Sequence, residues 1–576
     1  MVPSLLKSTS CPYLSPAIPS KSTPTCTQAD ADASQSKTLT KPRLSLEAFP
    51  PNSEASGVSG VRTDTSVWYQ RNFELPVNWE GRRICLRFGA IDYKCWVFIN
   101  GILVGEHTGG YSPFGLDIDH ALHHGTNTIT VRVEDSLSWT QPRGKQAGTT
   151  RWPIDYDGII GIWQTVWLEP LPDVSIESVF AQFLMDSSQL ICLVEFSQHV
   201  EGELQVDLLM SGELITSAKA STQLRGEARV PLTIEDPLLW SPDSPYLYDL
   251  HLTLITASGQ RDIATSYCGL REISTEGGTF KLNNEKLYIR GILDQGYFPK
   301  GWYTAISDDD YKKDIELTLA MGFNCVRKHQ KAEDPRYLYW ADKMGLLVWS
   351  EMPSGRIFST ELIQALTNEW QNLVKRDRGH PSIITWVPFN ESWGVWNQAE
   401  RPEQRAFVEG IVGLTHALDK SRPVVGNDGW EFSAGDLWTL HVYEENTNLG
   451  SRLSELAKDP GSYVNIGEGG LGQRVGALPG SNIANLPILL TECGGIGYGQ
   501  HGDNDFAYGE IPSSEVELEQ RIEAAINVIY DAQDLQGFVW TQLTDVQQEI
   551  NGLLYFDRRP KIPIKSLKKI FEHHTD

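Results

Sequence analysis

Four acidic residues, Glu351, Glu391, Glu492 and Asp545, each stand at the end of a short apolar run that reads as a buried β-strand. A single buried carboxylate is usually the ion-pair partner of a nearby arginine. Two that converge on one atom can do chemistry. Cleavage of a glycosidic bond needs that arrangement: with carboxyl groups about 5–5.5 Å apart, one attacks the anomeric carbon while the other protonates the leaving oxygen and later activates water. Glu391 and Glu492 are the pair singled out here, because they end the fourth and seventh runs and Asn390 directly precedes the first of them.

Those two positions face each other only if the runs close into a barrel. From residue 277 to 576 the sequence alternates candidate strands with helical periods. The strands are expected at 287–293, 324–329, 346–352, 383–391, 423–429, 437–443, 487–494 and 537–545. Leu362, Leu366, Trp370 and Leu373 fall on one helical face, as do Leu518, Ile522, Ile526 and Ile529. Ser513 and Ser514, followed by acids, read as a helix start. Eight strand–helix alternations predict a (β/α)8 TIM barrel, whose active site lies at the C-terminal ends of the strands. A doubly wound sheet fits less well, since no GxGxxG loop follows the first strand.

Upstream, two all-β segments are expected. Residues 59–172 hold short alternating runs at 67–73, 83–88, 95–99, 128–133 and 164–169, with an Asn100-Gly101 hairpin turn, and read as a jelly-roll β-sandwich. Residues 173–276, with runs at 188–196, 202–210 and 246–255, suit an immunoglobulin-like β-sandwich. Residues 1–58, rich in Ser and Thr, read as a disordered or irregular tail.

Composition excludes several classes. A net charge of -25 argues against nucleic acid as a partner. No apolar stretch is long enough to span a bilayer, so no membrane is expected. The 18 tryptophans favour carbohydrate weakly, through stacking on sugar rings. The eight cysteines are scattered and suggest neither a zinc site nor a disulfide framework. The N-terminus lacks the pattern of a secretory signal, and the only Asn-X-Ser/Thr sequon, at Asn390, falls in the expected site. Cytoplasmic location is the default, and a homo-oligomer is left open.

At this point a family resemblance carries the reading further. Trp386-Val387-Pro388-Phe389-Asn390-Glu391-Ser392-Trp393-Gly394 and Leu490-Thr491-Glu492-Cys493-Gly494-Gly495 resemble the acid/base and nucleophile segments of glycoside hydrolase family 2, which includes β-galactosidases, β-glucuronidases and β-mannosidases. Trp68-Tyr69-Gln70-Arg71-Asn72-Phe73, Gly109-Gly110-Tyr111-Ser112-Pro113-Phe114 and Gly161-Ile162-Trp163-Gln164-Thr165-Val166-Trp167-Leu168-Glu169 resemble its sugar-binding jelly roll. The resemblance implies a retaining β-glycosidase with Glu391 as acid/base and Glu492 as nucleophile. It implies that Asn390 bonds the sugar 2-hydroxyl, that Arg327 and Tyr443 support the nucleophile, and that Trp540 forms an aromatic floor. Asp155, six residues before Gly161, is matched to a jelly-roll residue that reaches the sugar. Asp294, His329 and His441 are further rim residues expected to contact substrate. Glu492 is expected to be ionised and Glu391 protonated.

The sequence also departs from the family. Many members show Arg-x-x-His-Tyr-Pro after the second strand, whereas here Arg327-Lys328-His329-Gln330-Lys331 puts the histidine one position early. Glu351-Met352-Pro353 lacks the Glu-x-His of magnesium-binding β-galactosidases, so no metal and no cofactor are expected. Glu549-Ile550-Asn551-Gly552-Leu553 lacks the Asn-x-Lys with which β-glucuronidases hold a carboxylate, although Lys331 could stand in. The expected substrate is therefore a β-galactoside-like glycoside. Two alternatives are a glycosidase or transglycosidase acting on a small-molecule glycoside, and a carbohydrate-binding protein that has lost turnover.

Overall fold

The computed structural model describes residues 44–573, apart from 47, 59–60, 62–65, 149, 224, 444–450, 452–453, 456–457, 460–462, 465–473 and 500–504. Residues 1–43, most of the expected tail, lie outside the described residues, together with Cys11 and Cys26. The six described cysteines are buried.

The first layer is a sandwich of two four-stranded sheets. One orders Leu44–Leu46, Val166–Leu171, Arg83–Phe88 and Phe114–Asp117; the other orders Val67–Phe73, Asn127–Glu134, Lys94–Ile99 and Ile102–Thr108. The turn at Asn100-Gly101 has φ of 51° and 82°, the left-handed pair that a two-residue hairpin requires. The domain starts earlier than the expected boundary at 59. Leu44–Leu46 pairs antiparallel with Val166–Leu168 and supplies a first strand, which three residues are too few to reveal through alternation.

The second layer has seven strands in sheets of three and four. Gln189–Val200 and Tyr248–Thr256 alternate buried and exposed positions, as strands with one face in a core must. This is the immunoglobulin-like sandwich.

The third is a curled parallel sheet of seven strands ordered Ile383–Val387, Leu347–Glu351, Cys325–Lys328, Ile289–Asp294, Leu535–Thr541, Ile488–Gly494 and Trp438–His441. The expected strand at 423–429 does not form one. It meets its neighbour only through isolated parallel bridges, Trp386–Val424 and Asn390–Asp428, while Val425 bridges antiparallel to Gly435. Alternation within the strands sorts the side chains. Ile289, Cys325, Leu347, Trp349 and Leu489 pack together inside the barrel with Trp240 and Phe280. Ile292, Val326, Leu440, Leu490, Phe538 and Trp540 pack outward against the helices. The helix Thr360–Asp377 buries Leu362, Leu366, Trp370 and Leu373, and Ser514 caps Glu515–Asp531 through the Glu517 amide. No described helix is long and apolar enough to cross a membrane.

The jelly roll is clamped to the barrel by its own motifs. Glu369, on Thr360–Asp377, accepts the backbone N–H groups of Gly110, Tyr111 and Ser112 at 3.1, 2.7 and 3.2 Å. The Gly109-Gly110-Tyr111-Ser112 segment is thus a docking loop. Gly144 has φ +60° and lies so close to the barrel that a Cβ would stand 2.2 Å from the Gln330 carbonyl oxygen, so only glycine lets the chain pass. Its amide and that of Arg143 donate to the Ser354 carbonyl at 3.0 and 3.2 Å.

Candidate active site

Inward-facing residues at the strand ends meet around one guanidinium. Arg327 shares the inner face of its strand with Cys325 and is fully buried. One of its nitrogens lies 2.7 Å from Glu492 Oε1; the other lies 2.6 Å from Glu351, 2.9 Å from Asp428 and 2.5 Å from the side-chain oxygen of Asn390. Because the Asn390 oxygen accepts from Arg327, its amide NH2 is left to donate to a substrate hydroxyl.

Glu492 also accepts the Tyr443 hydroxyl at 2.5 Å. The Tyr443 ring is held by Tyr508, stacked at 3.8 Å and 4°. A register shift between Leu490 and Cys493 breaks the strict alternation, so Thr491 and Glu492 both reach inward; Thr491 donates to Asp428 at 2.8 Å.

Glu391 stands beyond the end of its strand, in a turn where Glu391 and Ser392 both have positive φ, 50° and 56°. Non-glycine residues held there cost about 1–3 kcal/mol each and persist only where the surroundings over-determine them. Here Glu391 N donates to the Asp428 carbonyl at 2.9 Å, Ser392 N donates to Asn427 Oδ1 at 2.8 Å, and the Ser392 hydroxyl donates to Glu431. The Glu391 side chain keeps 17% exposure against 6% for Glu492, so Glu391 opens toward the mouth and Glu492 lies below it.

The two carboxylates and His441 have oxygen and nitrogen atoms within 4.8 Å of one another. His441 Nδ1 lies 2.8 Å from Glu391 Oε1 and 3.6 Å from Glu492 Oε2, and Nε2 lies 3.4 Å from Asp428. Burial disfavours its imidazolium, but Glu492, Asp428 and Glu391 hold it up at about 10. Burial likewise works against an ionised Glu492, yet the His441 imidazolium and the Arg327 guanidinium, with the Tyr443 hydroxyl, bring it down to about 2. Glu391 is raised instead, by burial and then by the Glu492 charge. Two carboxyl groups side by side thus have their proton affinities driven in opposite directions. These three donors are the one group among the described residues with the spacing to hold a metal ion. Arg327 and the His441 imidazolium already supply the positive charge a cation would bring.

His329 is buried at the same site, with Nδ1 3.1 Å from Glu351 and 3.9 Å from Glu492, and burial keeps its imidazole neutral. Arg327, His329, Asn390, Glu391, His441, Tyr443 and Glu492 therefore come together.

Three expected contacts do not. Trp540 shares the outward face of its strand with Phe538; its indole packs on Phe571 at 5.5 Å and is 1% exposed. It is a wall of the helix layer and not a sugar floor. Asp294 likewise turns outward, its carboxylate bound to Lys328 Nζ at 2.5 Å and to Gly296 N at 2.8 Å. Asp155 spends both oxygens within the protein, on Arg356 at 2.7 Å and on Trp152 N at 2.8 Å. Arg356 is sandwiched between Trp152 and Trp393, 3.9 Å from each ring centre, so Asp155 fixes the jelly-roll loop to the acid/base loop. Replacing Trp540 by Phe is expected to lower stability by about 1–2 kcal/mol while leaving KM for a glycoside within twofold; denaturant melts and steady-state kinetics check this. Lys145 and Tyr508 lie in no recognisable sequence pattern, and Glu549 stands in the sequence only where the Asn-x-Lys of β-glucuronidases is missing.

Comparison with known proteins agrees with this architecture. Residues 49–172 match the profile of the glycosyl hydrolases family 2 sugar binding domain, 176–271 that of glycosyl hydrolases family 2, and 273–458 that of the family 2 TIM barrel domain. A β-galactosidase of Thermoanaerobacter pseudethanolicus is 28% identical over 376 residues, covering 62% of this chain and 48% of the relative. A β-glucuronidase of Felis catus is 28% identical over 409 residues, covering 64% and 60%. The matched region thus spans less than two thirds of these curated relatives. Among solved structures, a β-glucuronidase from Ruminococcus gnavus in complex with D-glucaro 1,5-lactone superposes with a TM-score of 0.74 at 22% identity, over 91% of both chains. A family 2 β-galacturonidase from Eisenbergiella tayi bound to glycerol does so with 0.75 at 20% identity, over 94% of this chain and 98% of that one.

Proposed function

Since the chain belongs to glycosyl hydrolase family 2, we propose that it is a retaining β-glycosidase that removes a terminal β-linked neutral sugar, β-galactoside-like, by double displacement. One observation carries this reading: Glu391 and Glu492 meet within 4.8 Å at the barrel mouth, with their proton affinities pushed in opposite directions. That spacing suits direct attack and leaves no room for the intervening water of an inverting enzyme, whose carboxyls stand about 6.5–9.5 Å apart.

In the first step an oxygen of Glu492 attacks the anomeric carbon as the glycosidic C–O bond breaks and Glu391 gives its proton to the departing oxygen. Asn390 holds the 2-hydroxyl. Once Glu492 is an ester its charge is gone, and the affinity of Glu391 for a proton falls. Glu391 then takes a proton from water, which displaces Glu492. The first-formed sugar must be the β-anomer. Proton NMR at the start of aryl β-galactoside hydrolysis checks this, and a first-formed α-anomer would overturn it.

His441 is a positioning residue whose charge favours ionisation of both carboxyls. Replacing it by Gln removes that charge, so both carboxyl pKa values rise. The acidic and alkaline limbs of kcat/KM are both expected to move to higher pH, with a lower maximum. A profile that keeps its limbs while losing height would contradict this role.

A neutral glycone is supported by the disposition of the nearby cations. Lys331 is consumed by Glu333 at 2.9 Å and by the Gly296 and Tyr303 carbonyls at 2.7 and 2.9 Å. It is therefore not free to hold a sugar carboxylate. Lys561 is bound to Asp545 at 2.7 Å and to the Ile550 carbonyl at 2.8 Å.

A further inference from the structure

Where the jelly-roll loop meets the barrel, buried polar groups from the two domains come together. Lys145 enters from the jelly-roll loop that Gly144 and Arg143 pin to the barrel. Its side chain is 6% exposed, and among the described residues its ammonium meets one charged group, Glu549 Oε2, at 3.4 Å. The same Glu549 oxygen accepts from Gln295 Nε2 at 2.8 Å, and Gln295 Nε2 also donates to Gln542 Oε1 at 2.7 Å. The other amide atom, Gln295 Oε1, is buried with no hydrogen-bond partner among the described residues. An ammonium with three donors and one long contact, beside an unpaired buried amide oxygen, is rare in a native interior unless something else completes it.

The cluster adjoins the reacting groups. Gly144, the neighbour of Lys145, lies against the carbonyl of Gln330, and Gln330 follows His329, whose Nδ1 lies 3.9 Å from Glu492. Gln542, which accepts from Gln295, follows Thr541, whose hydroxyl lies 3.1 Å from that of Tyr443, the partner of Glu492. Gln295 directly follows the first barrel strand, at the end where the glycone must sit.

We propose that Lys145, Gln295 and Glu549 form the hydroxyl-reading wall of the glycone pocket, and that Glu549 makes it reject sugars bearing a carboxylate. This deepens the glycosidase reading and rests on it. Lys145 donates to one hydroxyl oxygen of the sugar, while Gln295 Oε1 and Glu549 accept protons from its neighbours. A donor flanked by acceptors matches a run of adjacent hydroxyls. A carboxylate in the same place would put its charge against Glu549. Lys145, already paired, cannot neutralise both.

The test uses the full chain and two matched probes, 4-nitrophenyl β-galactoside and 4-nitrophenyl β-galacturonide. Lys145→Met should lower kcat/KM on the neutral probe at least 30-fold, mainly through KM. Glu549→Gln, nearly isosteric, should raise the ratio of uronide to neutral kcat/KM at least tenfold by freeing Lys145. That ratio is measured within one preparation, so partial misfolding cancels. The inference is overturned if Lys145→Met keeps wild-type kcat/KM, if the ratio in Glu549→Gln is unchanged, or if the wild type prefers the uronide and loses that preference in Lys145→Met. Glu492→Ala is the control. A wild type that hydrolyses neither probe overturns the glycosidase reading, and hydrolysis that persists in Glu492→Ala overturns the nucleophile assignment, whereas hydrolysis lost there but untouched in Lys145→Met overturns this inference alone.

Discussion

Glu492→Ala is expected to lose turnover by roughly 10⁴- to 10⁶-fold, the scale on which removal of a member of a catalytic group acts. The variant leaves a methyl group where an ionised oxygen stood, with Arg327 and the His441 imidazolium still facing the gap. A small anion fits that charge and volume. Azide or formate should therefore restore part of the rate, and azide should yield the α-glycosyl azide, because it enters on the face opposite the leaving group and no second displacement follows. Chromatography with NMR of the azide product reads the stereochemistry. A β-azide, or no rescue with folding intact, would move the nucleophile elsewhere.

Removing the other carboxyl should produce a different signature. Glu391→Ala is expected to slow poor leaving groups by roughly 10²- to 10⁴-fold, the range of general acid–base catalysis, while the first step on 2,4-dinitrophenyl glycosides changes little. The ester should then accumulate, because no base is left to activate water, and pre-steady-state mixing should show a burst. Azide attacking that ester gives the β-glycosyl azide, the mirror of the first result. Glu391 must carry its proton in the first step, so the rate falls as pH rises through its pKa. Deleting it should erase the alkaline limb and leave the acidic limb, which belongs to Glu492. Equal losses on good and poor leaving groups would contradict the assignment.

Much of the site was legible because its residues follow rules of position. Arg327 and His441 lie at or near strand ends on the inward face, Glu492 joins them through the register shift of its strand, and Asn390 and Glu391 follow the end of another. The misreadings have physical causes. The resemblance assigned Trp540 to the sugar, but the strand's own alternation sets it with Phe538 on the helix side. Alternation also turns Asp294 toward Lys328. The segment 423–429 opens apolar with Pro423-Val424-Val425, yet Gly426 is pressed against the Ala434 carbonyl and Val425 turns to Gly435, so regular pairing fails. Lys145 and Glu549 come together across 404 residues of chain. No local pattern announces such a pair; it arises only when the docking of the jelly roll on the barrel is known.

Incubation with a 2-deoxy-2-fluoro β-galactosyl fluoride, followed by peptide mass spectrometry, reads the attacking residue itself. The fluorine slows hydrolysis of the ester, so the sugar stays where it was first attached. The expected result is one fluorosugar on Glu492, absent from Glu492→Ala. A label on Glu351, Glu391 or Asp428, or inactivation without a covalent adduct, would contradict double displacement at this carboxylate.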